Sequence, residues 1–156
     1  MSNSLKKLLT EFKYLEQNSI NIKKGSIFLA YPGESNDGRY YIDEAIKKGA
    51  GAIIYDPLEF EWNARWNLPN LAVKKLKDNI SNIASEFYNH PSKKMNLIGV
   101  TGTNGKTSSV YWITQCLENL ERKATMISTI GYGFIKKLEP TENTTPDAIK
   151  IQSIIN

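Results

Sequence analysis

The sequence predicts an α/β fold built as two consecutive units. Three observations carry this. Short apolar runs alternate with stretches of helical spacing between residues 26 and 88. A later apolar run, Asn96-Leu97-Ile98-Gly99-Val100, leads into Thr101-Gly102-Thr103-Asn104-Gly105-Lys106-Thr107-Ser108, and a helical pattern starts there. Between the two lies the polar break His90-Pro91-Ser92-Lys93-Lys94, where the domain boundary is placed. The units are therefore residues 1–90 and 91–156.

Leu5, Leu8, Leu9, Phe12 and Leu15 fall at helical spacing and predict an amphipathic helix over roughly residues 4–16. The segment 18–21 breaks that pattern. Lys24-Gly25 leads into a strand at residues 26–31, and 32–38 is dense in turn formers. A loop at a strand's carboxyl end is where open α/β sheets place ligands. Asp37 is expected to cap a helix over residues 40–48, with Ile42, Ala45 and Ile46 inward and Gly49 and Gly51 ending it. Residues 52–55 read as a second strand. Residues 56–69 read as an irregular connection in which Trp62 and Trp66 pack. Residues 71–73 read as a third strand, and Asp78 as the cap of a helix carrying Ile80, Ile83, Ala84 and Phe87. The first unit is thus a compact βαβ-type arrangement.

In the second unit, the run 96–100, the glycine-rich turn and the helix marked by Val110, Ile113, Leu117 and Leu120 make a strand–loop–helix. That context makes a phosphate-binding loop credible. Its glycines let backbone amides close round phosphate oxygens, and the helix N-terminus adds partial positive charge. Lys106 can reach the β- and γ-phosphates, and the Thr107 hydroxyl can ligate Mg²⁺. Val100 stands where the general motif has its first glycine. A strand is expected over 124–130, followed by Gly131-Tyr132-Gly133 and a loop carrying Lys136 and Lys137. Thr145 is then a good N-cap, with Pro146 at the first helical position and Asp147 complementing the helix dipole.

Composition narrows the function. Net charge is +4, and of 20 basic residues only Arg39, Arg65 and Arg122 are arginines. The lysine doublets are scattered. Nucleic-acid readers favour clustered arginine with interleaved aromatics, so no nucleic-acid partner is expected. A mild positive field suits anionic small molecules such as nucleotides. Cys116 is the single cysteine and His90 the single histidine, which fits a reducing cytosol and leaves no multi-histidine metal site in these residues. Lys6, Lys7, Glu11 and Lys13 interrupt any leader-like run, and no stretch approaches the roughly 18 apolar residues of a membrane span. A cytoplasmic protein without a membrane partner is expected.

The loop Thr101-Gly102-Thr103-Asn104-Gly105-Lys106-Thr107-Ser108 resembles that of the Mur ligases, the ATP-dependent amide ligases of peptidoglycan precursor synthesis. That family commonly lacks the first glycine of the general motif, which accounts for Val100. Residues 25–33, Asp37-Gly38-Arg39 and residues 45–50 resemble the N-terminal uridine-nucleotide domain of the members that add the third residue (MurE type) and the dipeptide (MurF type). Asn143-Thr144-Thr145-Pro146, after Thr129-Ile130-Gly131-Tyr132, resembles the third-residue type. The resemblance covers nearly the whole chain.

What it implies is specific. ATP phosphorylates the D-glutamate carboxylate of UDP-N-acetylmuramoyl-L-Ala-D-Glu, and the amine of a diamino acid attacks the acyl phosphate. Diaminopimelate is the expected diamino acid on family frequency. By matching, Gly102, Thr103, Asn104, Gly105, Lys106, Thr107 and Ser108 bind ATP. Lys106 and Thr107 act in catalysis, with Thr107 on Mg²⁺. Ser19, Glu34, Ser35, Asn36, Asn143, Thr144 and Thr145 meet the UDP-muramoyl substrate. The sequence departs from the family where Asn18 and Ile20 flank Ser19 in place of an aspartate and an arginine, and where Ser26 replaces an aspartate. Glu34, Ser35 and Asn36 match by place and not by type. The rest of the family's central domain and its C-terminal domain, which carries the amino-acid pocket, find no match in these residues. The expectation is a fragment, inactive alone, with the diamino-acid site missing. Two other readings stay open: another amide ligase of the superfamily, such as a folate polyglutamylating enzyme, and a non-catalytic nucleotide-binding module.

Overall fold

The computed structural model describes residues 2–34, 36–141 and 146–156. It divides into two compact units, 1–90 and 91–156.

The first unit is a parallel sheet of four strands in the order β1 (Tyr14–Glu16), β2 (Ser26–Ala30), β3 (Ala50–Tyr55), β4 (Asn70–Ala72). Parallel sheets need cover on both faces, and β2 is buried at all five positions. Register places Phe28 beside Ile53 and Ala30 beside Tyr55; on the other face Ile27 lies beside Ala52 and Leu29 beside Ile54. The first face packs against α2 (Ile42–Lys47), where Phe28, Ala30, Ile42, Ala45 and Ile53 form one cluster. Tyr55, Phe60, Trp62 and Trp66 extend that cluster as packed rings with centroids 4.9–6.2 Å apart. The tryptophans of the irregular connection are therefore half-buried residues packed against the core. The second face is left to α1 (Asn3–Glu11) and α3 (Leu76–Phe87). Their buried Leu5, Leu9, Leu76, Ile80 and Ile83 have no other sheet in this unit to cover.

Three expectations change here. The first helix ends at Glu11, because Phe12 turns extended, and Leu15 enters the sheet beside Ile27. Gly51 does not end α2 but belongs to β3; a Cβ there would stand 2.5 Å from the Phe12 ring. Asp78 is not a cap: it sits in the first turn of α3, and Asp56, twenty residues upstream, accepts the Leu76 amide through Oδ2 at 2.9 Å. Asp37 does cap, but it caps a 3₁₀ turn, Gly38–Tyr41, that runs into α2.

The second unit contains a 3₁₀ turn at Pro91–Lys94, α4 (Lys106–Asn119), the antiparallel strands β5 (Met126–Ser128), β6 (Gly131–Phe134) and β7 (Lys137–Glu139), and α5 (Ala148–Ile155). The apolar run 96–100 forms no strand. A strand needs a neighbour to take its amides and carbonyls, and Leu97 and Ile98 are 60% and 61% exposed. The expected loop around Lys136 and Lys137 is instead the turn of a second hairpin, with Phe134 opposite Lys137. The N-cap of α5 is Asp147, which accepts the Lys150 amide at 2.8 Å. Thr145, expected in that role, lies outside the described residues. No helix among the described residues is long and apolar enough to cross a membrane.

Candidate functional site

Two sets of side chains stand out, one in each unit. In the second unit the site is the turn before α4. Gly105 is the N-cap residue at φ 78°, and nothing lies within 4 Å of where its Cβ would be. The left-handed conformation, not crowding, calls for glycine. The first helical bond runs from the Ser109 amide to the Gly105 carbonyl, at 2.9 Å. The amides of Lys106, Thr107 and Ser108 are thus left without helical acceptors, at the positive end of the helix dipole. The Lys106 ammonium folds back over the turn and donates to the carbonyls of Gly102 at 2.6 Å and Thr103 at 3.2 Å. Gly102, Thr103, Asn104, Gly105, Lys106 and Ser108 are exposed and Thr107 is half-buried. Thr107 Oγ1 lies 2.9 Å from Thr129 Oγ1.

This donor set fits a polyphosphate. Amides, an ammonium and hydroxyls supply hydrogen bonds and positive charge, and carboxylates are missing from the turn. A cation fits less completely. Among the described residues no group of three or more His, Cys, Asp or Glu side chains could hold one. Thr107 would contribute one hydroxyl, and phosphate or water oxygens the rest.

In the first unit, the segments after β1 and β2 emerge at the same edge of the sheet, because these strands are parallel neighbours. That carboxyl edge is where open α/β sheets take ligands. The Tyr31 hydroxyl donates to Gln17 Oε1 at 2.8 Å and ties the two segments together. Ser19 is buried, and its hydroxyl donates to Glu44 Oε2 at 3.1 Å. Lys48 donates both to Glu44 Oε1, at 2.6 Å, and to the Ser19 carbonyl, at 3.1 Å. The Lys48 ammonium and then the Ser19 hydroxyl hold the Glu44 carboxyl below its ordinary value. Glu44 and Lys48 were not singled out from the sequence. Their i,i+4 spacing is legible, but their grip on a serine 25 residues away is not.

Glu34 is exposed and pairs with Lys77 at 3.3 Å. The Asn36 carbonyl accepts the Gly33 amide at 2.8 Å and closes the turn. Ser35, Asn143, Thr144 and Thr145 lie outside the described residues.

Two departures noted in the sequence prove to be local structure. Asn18 Oδ1 accepts the Ile20 amide at 2.9 Å and starts a 3₁₀ turn, a task aspartate could also perform. Ser26 is fully buried, and its hydroxyl donates to the Lys23 carbonyl at 2.8 Å while accepting the Lys23 amide at 3.0 Å. Ser26 faces its own turn.

Asp37 and Arg39 form the mechanical link of this edge. The guanidinium donates to Asp37 Oδ1 and Oδ2 at 2.6–3.0 Å, and to the carbonyls of Asp56 at 3.2 Å and Leu58 at 2.5 Å. It also stacks on Phe60, 5.0 Å from the ring centroid. The arginine's hydrogen bonds hold the Asp37 carboxyl below its ordinary value, against a smaller opposing effect of burial. Since the Asp56 side chain caps α3, one arginine joins the post-β2 loop to the start of that helix.

Comparison with known proteins points to one family. The model described as Mur ligase family, catalytic domain matches residues 11–88. The Mur ligase middle domain model matches residues 100–156. A UDP-N-acetylmuramoyl-L-alanyl-D-glutamate–2,6-diaminopimelate ligase of Nitrosomonas europaea is 42% identical over 151 residues, covering 97% of this chain and 29% of its own length. The ligase of the same name from Coxiella burnetii is 41% identical over 140 residues, covering 90% and 29%. A solved structure of a ligase of this name superposes with a TM-score of 0.68 at 22% identity, over 92% of this chain and 28% of that one, which speaks for the fold alone. The MurF ligase of Thermotoga maritima, solved in complex with ADP, gives 0.52 at 26% identity over 76% of this chain and 25% of that one. The chain spans about three tenths of the length of the curated relatives it matches.

Proposed function

The chain belongs to the Mur ligase family, and from that premise we propose that it is the N-terminal part of a cytoplasmic ligase that adds meso-diaminopimelate to UDP-N-acetylmuramoyl-L-Ala-D-Glu. One observation carries the reading. The Gly105-Lys106-Thr107 turn caps α4 in a chain 42% identical, over 97% of its length, to a ligase named for that reaction.

In this reading residues 1–90 are the UDP-substrate domain and 91–156 begin the ATP domain. Ser19, Glu34 and Asn36 at the carboxyl edge of the sheet, together with Ser35, Asn143, Thr144 and Thr145, meet the UDP-muramoyl substrate. Glu44 and Lys48 hold Ser19 in place.

Residues 102–108 hold ATP. ATP supplies the phosphoryl group that turns the D-glutamate carboxylate into an acyl phosphate. The diaminopimelate amine displaces phosphate from it, giving an amide, ADP and phosphate. Such transfers need positioning and charge neutralisation more than covalent help from the protein. The amides of Lys106, Thr107 and Ser108 bind phosphate oxygens. Lys106 exchanges the carbonyls of Gly102 and Thr103 for the γ-phosphate and neutralises charge as it transfers. Thr107 offers a hydroxyl to Mg²⁺.

The diamino-acid pocket belongs to the part of the relatives that these residues do not match, so residues 1–156 alone are inactive. The test is a ligation assay on the natural full-length protein with UDP-N-acetylmuramoyl-L-Ala-D-Glu, Mg-ATP and either diaminopimelate or lysine. Amide product and ADP with diaminopimelate are expected. Product with lysine alone would correct the amino acid, and no product with either would refute the reading.

A further inference from the structure

We propose that Thr129 is a positioning residue for the divalent cation of the bound nucleotide, acting through the Thr107 hydroxyl. The inference rests on the nucleotide-binding reading of the 102–108 turn and adds a residue to it.

A threonine hydroxyl has one proton and two lone pairs. If Thr107 Oγ1 gives a lone pair to a cation, its proton must point away from that cation and find an acceptor. Thr129 Oγ1, 2.9 Å away, is such an acceptor. It lies outside the motif and 22 residues along the chain.

Its position is fixed by local structure. Ser128 pairs with Gly131, so Thr129 and Ile130 are the two tip residues of the β5–β6 hairpin. The Ser128 hydroxyl braces that tip, accepting the Ile130 amide at 3.4 Å. The start of α4 and this tip therefore present two hydroxyls to one point. Accepting the proton orients Thr107; in the absence of a cation either hydroxyl can donate. A structural role alone would give Thr129 no reason to discriminate between metal-bound and metal-free nucleotide.

The test is titration calorimetry of the natural full-length protein with ADP, with and without Mg²⁺, comparing wild type, Thr129→Val and Thr129→Ser. Valine keeps the shape and removes the acceptor, whereas serine keeps the acceptor. Partners that orient a metal ligand typically change affinity about tenfold or more when removed. Thr129→Val is therefore expected to weaken Mg-ADP binding about tenfold and leave metal-free ADP unchanged, with Thr129→Ser close to wild type. Equal Mg-ADP affinity in valine and wild type would overturn the inference and leave the nucleotide reading standing. An equal loss with and without Mg²⁺ would also overturn it, by making the effect one of folding. A wild type that binds no ADP under either condition would overturn the nucleotide reading and the inference together.

Discussion

Residues 1–90 and 91–156 use similar sequence signals to opposite effect. In the first unit the alternating apolar runs become a parallel sheet closed on both faces, with Ile27, Leu29, Ile42, Ile53, Ile54 and Leu76 fully buried. In the second, the buried apolar side chains among the described residues are Pro91, Met126 and Ile149, while Leu97, Ile98, Trp112, Leu120, Ile130 and Phe134 stand more than half exposed. The same kind of apolar run, 26–30 in one unit and 96–100 in the other, is a fully buried strand in the first and unpaired in the second. Apolar patterning makes a strand only where neighbours take its hydrogen bonds and cover its faces.

The largest expected effect follows from that contrast. Residues 1–90 expressed alone should unfold in a single cooperative thermal transition, and residues 91–156 alone should show none, as followed by circular dichroism. A cooperative melt of the second piece would break the comparison.

Arg39→Ala should come next. It strips the half-buried Asp37 carboxylate of its partner and leaves the Asp56 and Leu58 carbonyls short of a donor. Urea titration of residues 1–90 should show a loss of about 3 kcal/mol. Arg39→Lys should recover only part, because an ammonium cannot reproduce the fork. Ser26→Ala removes a buried hydroxyl from one turn and should cost the same unit about 1 kcal/mol.

The smallest effect sharpens the picture through pH. Asp37 has its pKa depressed in the folded chain, below the ordinary 3.8. Its contribution to stability is therefore complete above that value and is lost as pH falls from there through the folded pKa. The stability of residues 1–90 in urea should fall with pH below about 4, and fall less steeply in Arg39→Ala, as followed by fluorescence.

The sequence was legible where a signal is local and repeated. The strands β2 and β3, the inward face of α2 and the Gly105-Lys106-Thr107 turn follow from period and residue type. What escaped depends on distance along the chain or on very short elements. A three-residue strand carries no period, so Leu15 joined the helical spacing of Leu5, Leu9 and Phe12 although it lies in the sheet. Asp56 took the capping task expected of Asp78 because Lys75, at φ 53°, turns the chain into α3 so that the Leu76 amide reaches a buried carboxylate. The β6–β7 hairpin is not legible in the sequence, because glycines and lysines at its positions look like a loop. In the site, the motif residues were readable one by one. The acceptor for Thr107 was not, since only folding brings Thr129 to it.

In the proposed reading, binding of the UDP-muramoyl substrate by residues 1–156 does not depend on the ATP-binding turn around Lys106. Titration calorimetry of residues 1–156 with UDP-N-acetylmuramoyl-L-Ala-D-Glu, in wild type and Lys106→Ala, tests it most directly. The account predicts saturable binding with the same affinity in both. A chain that melts cooperatively but binds no UDP-muramoyl substrate, or one whose binding disappears with Lys106, would contradict it.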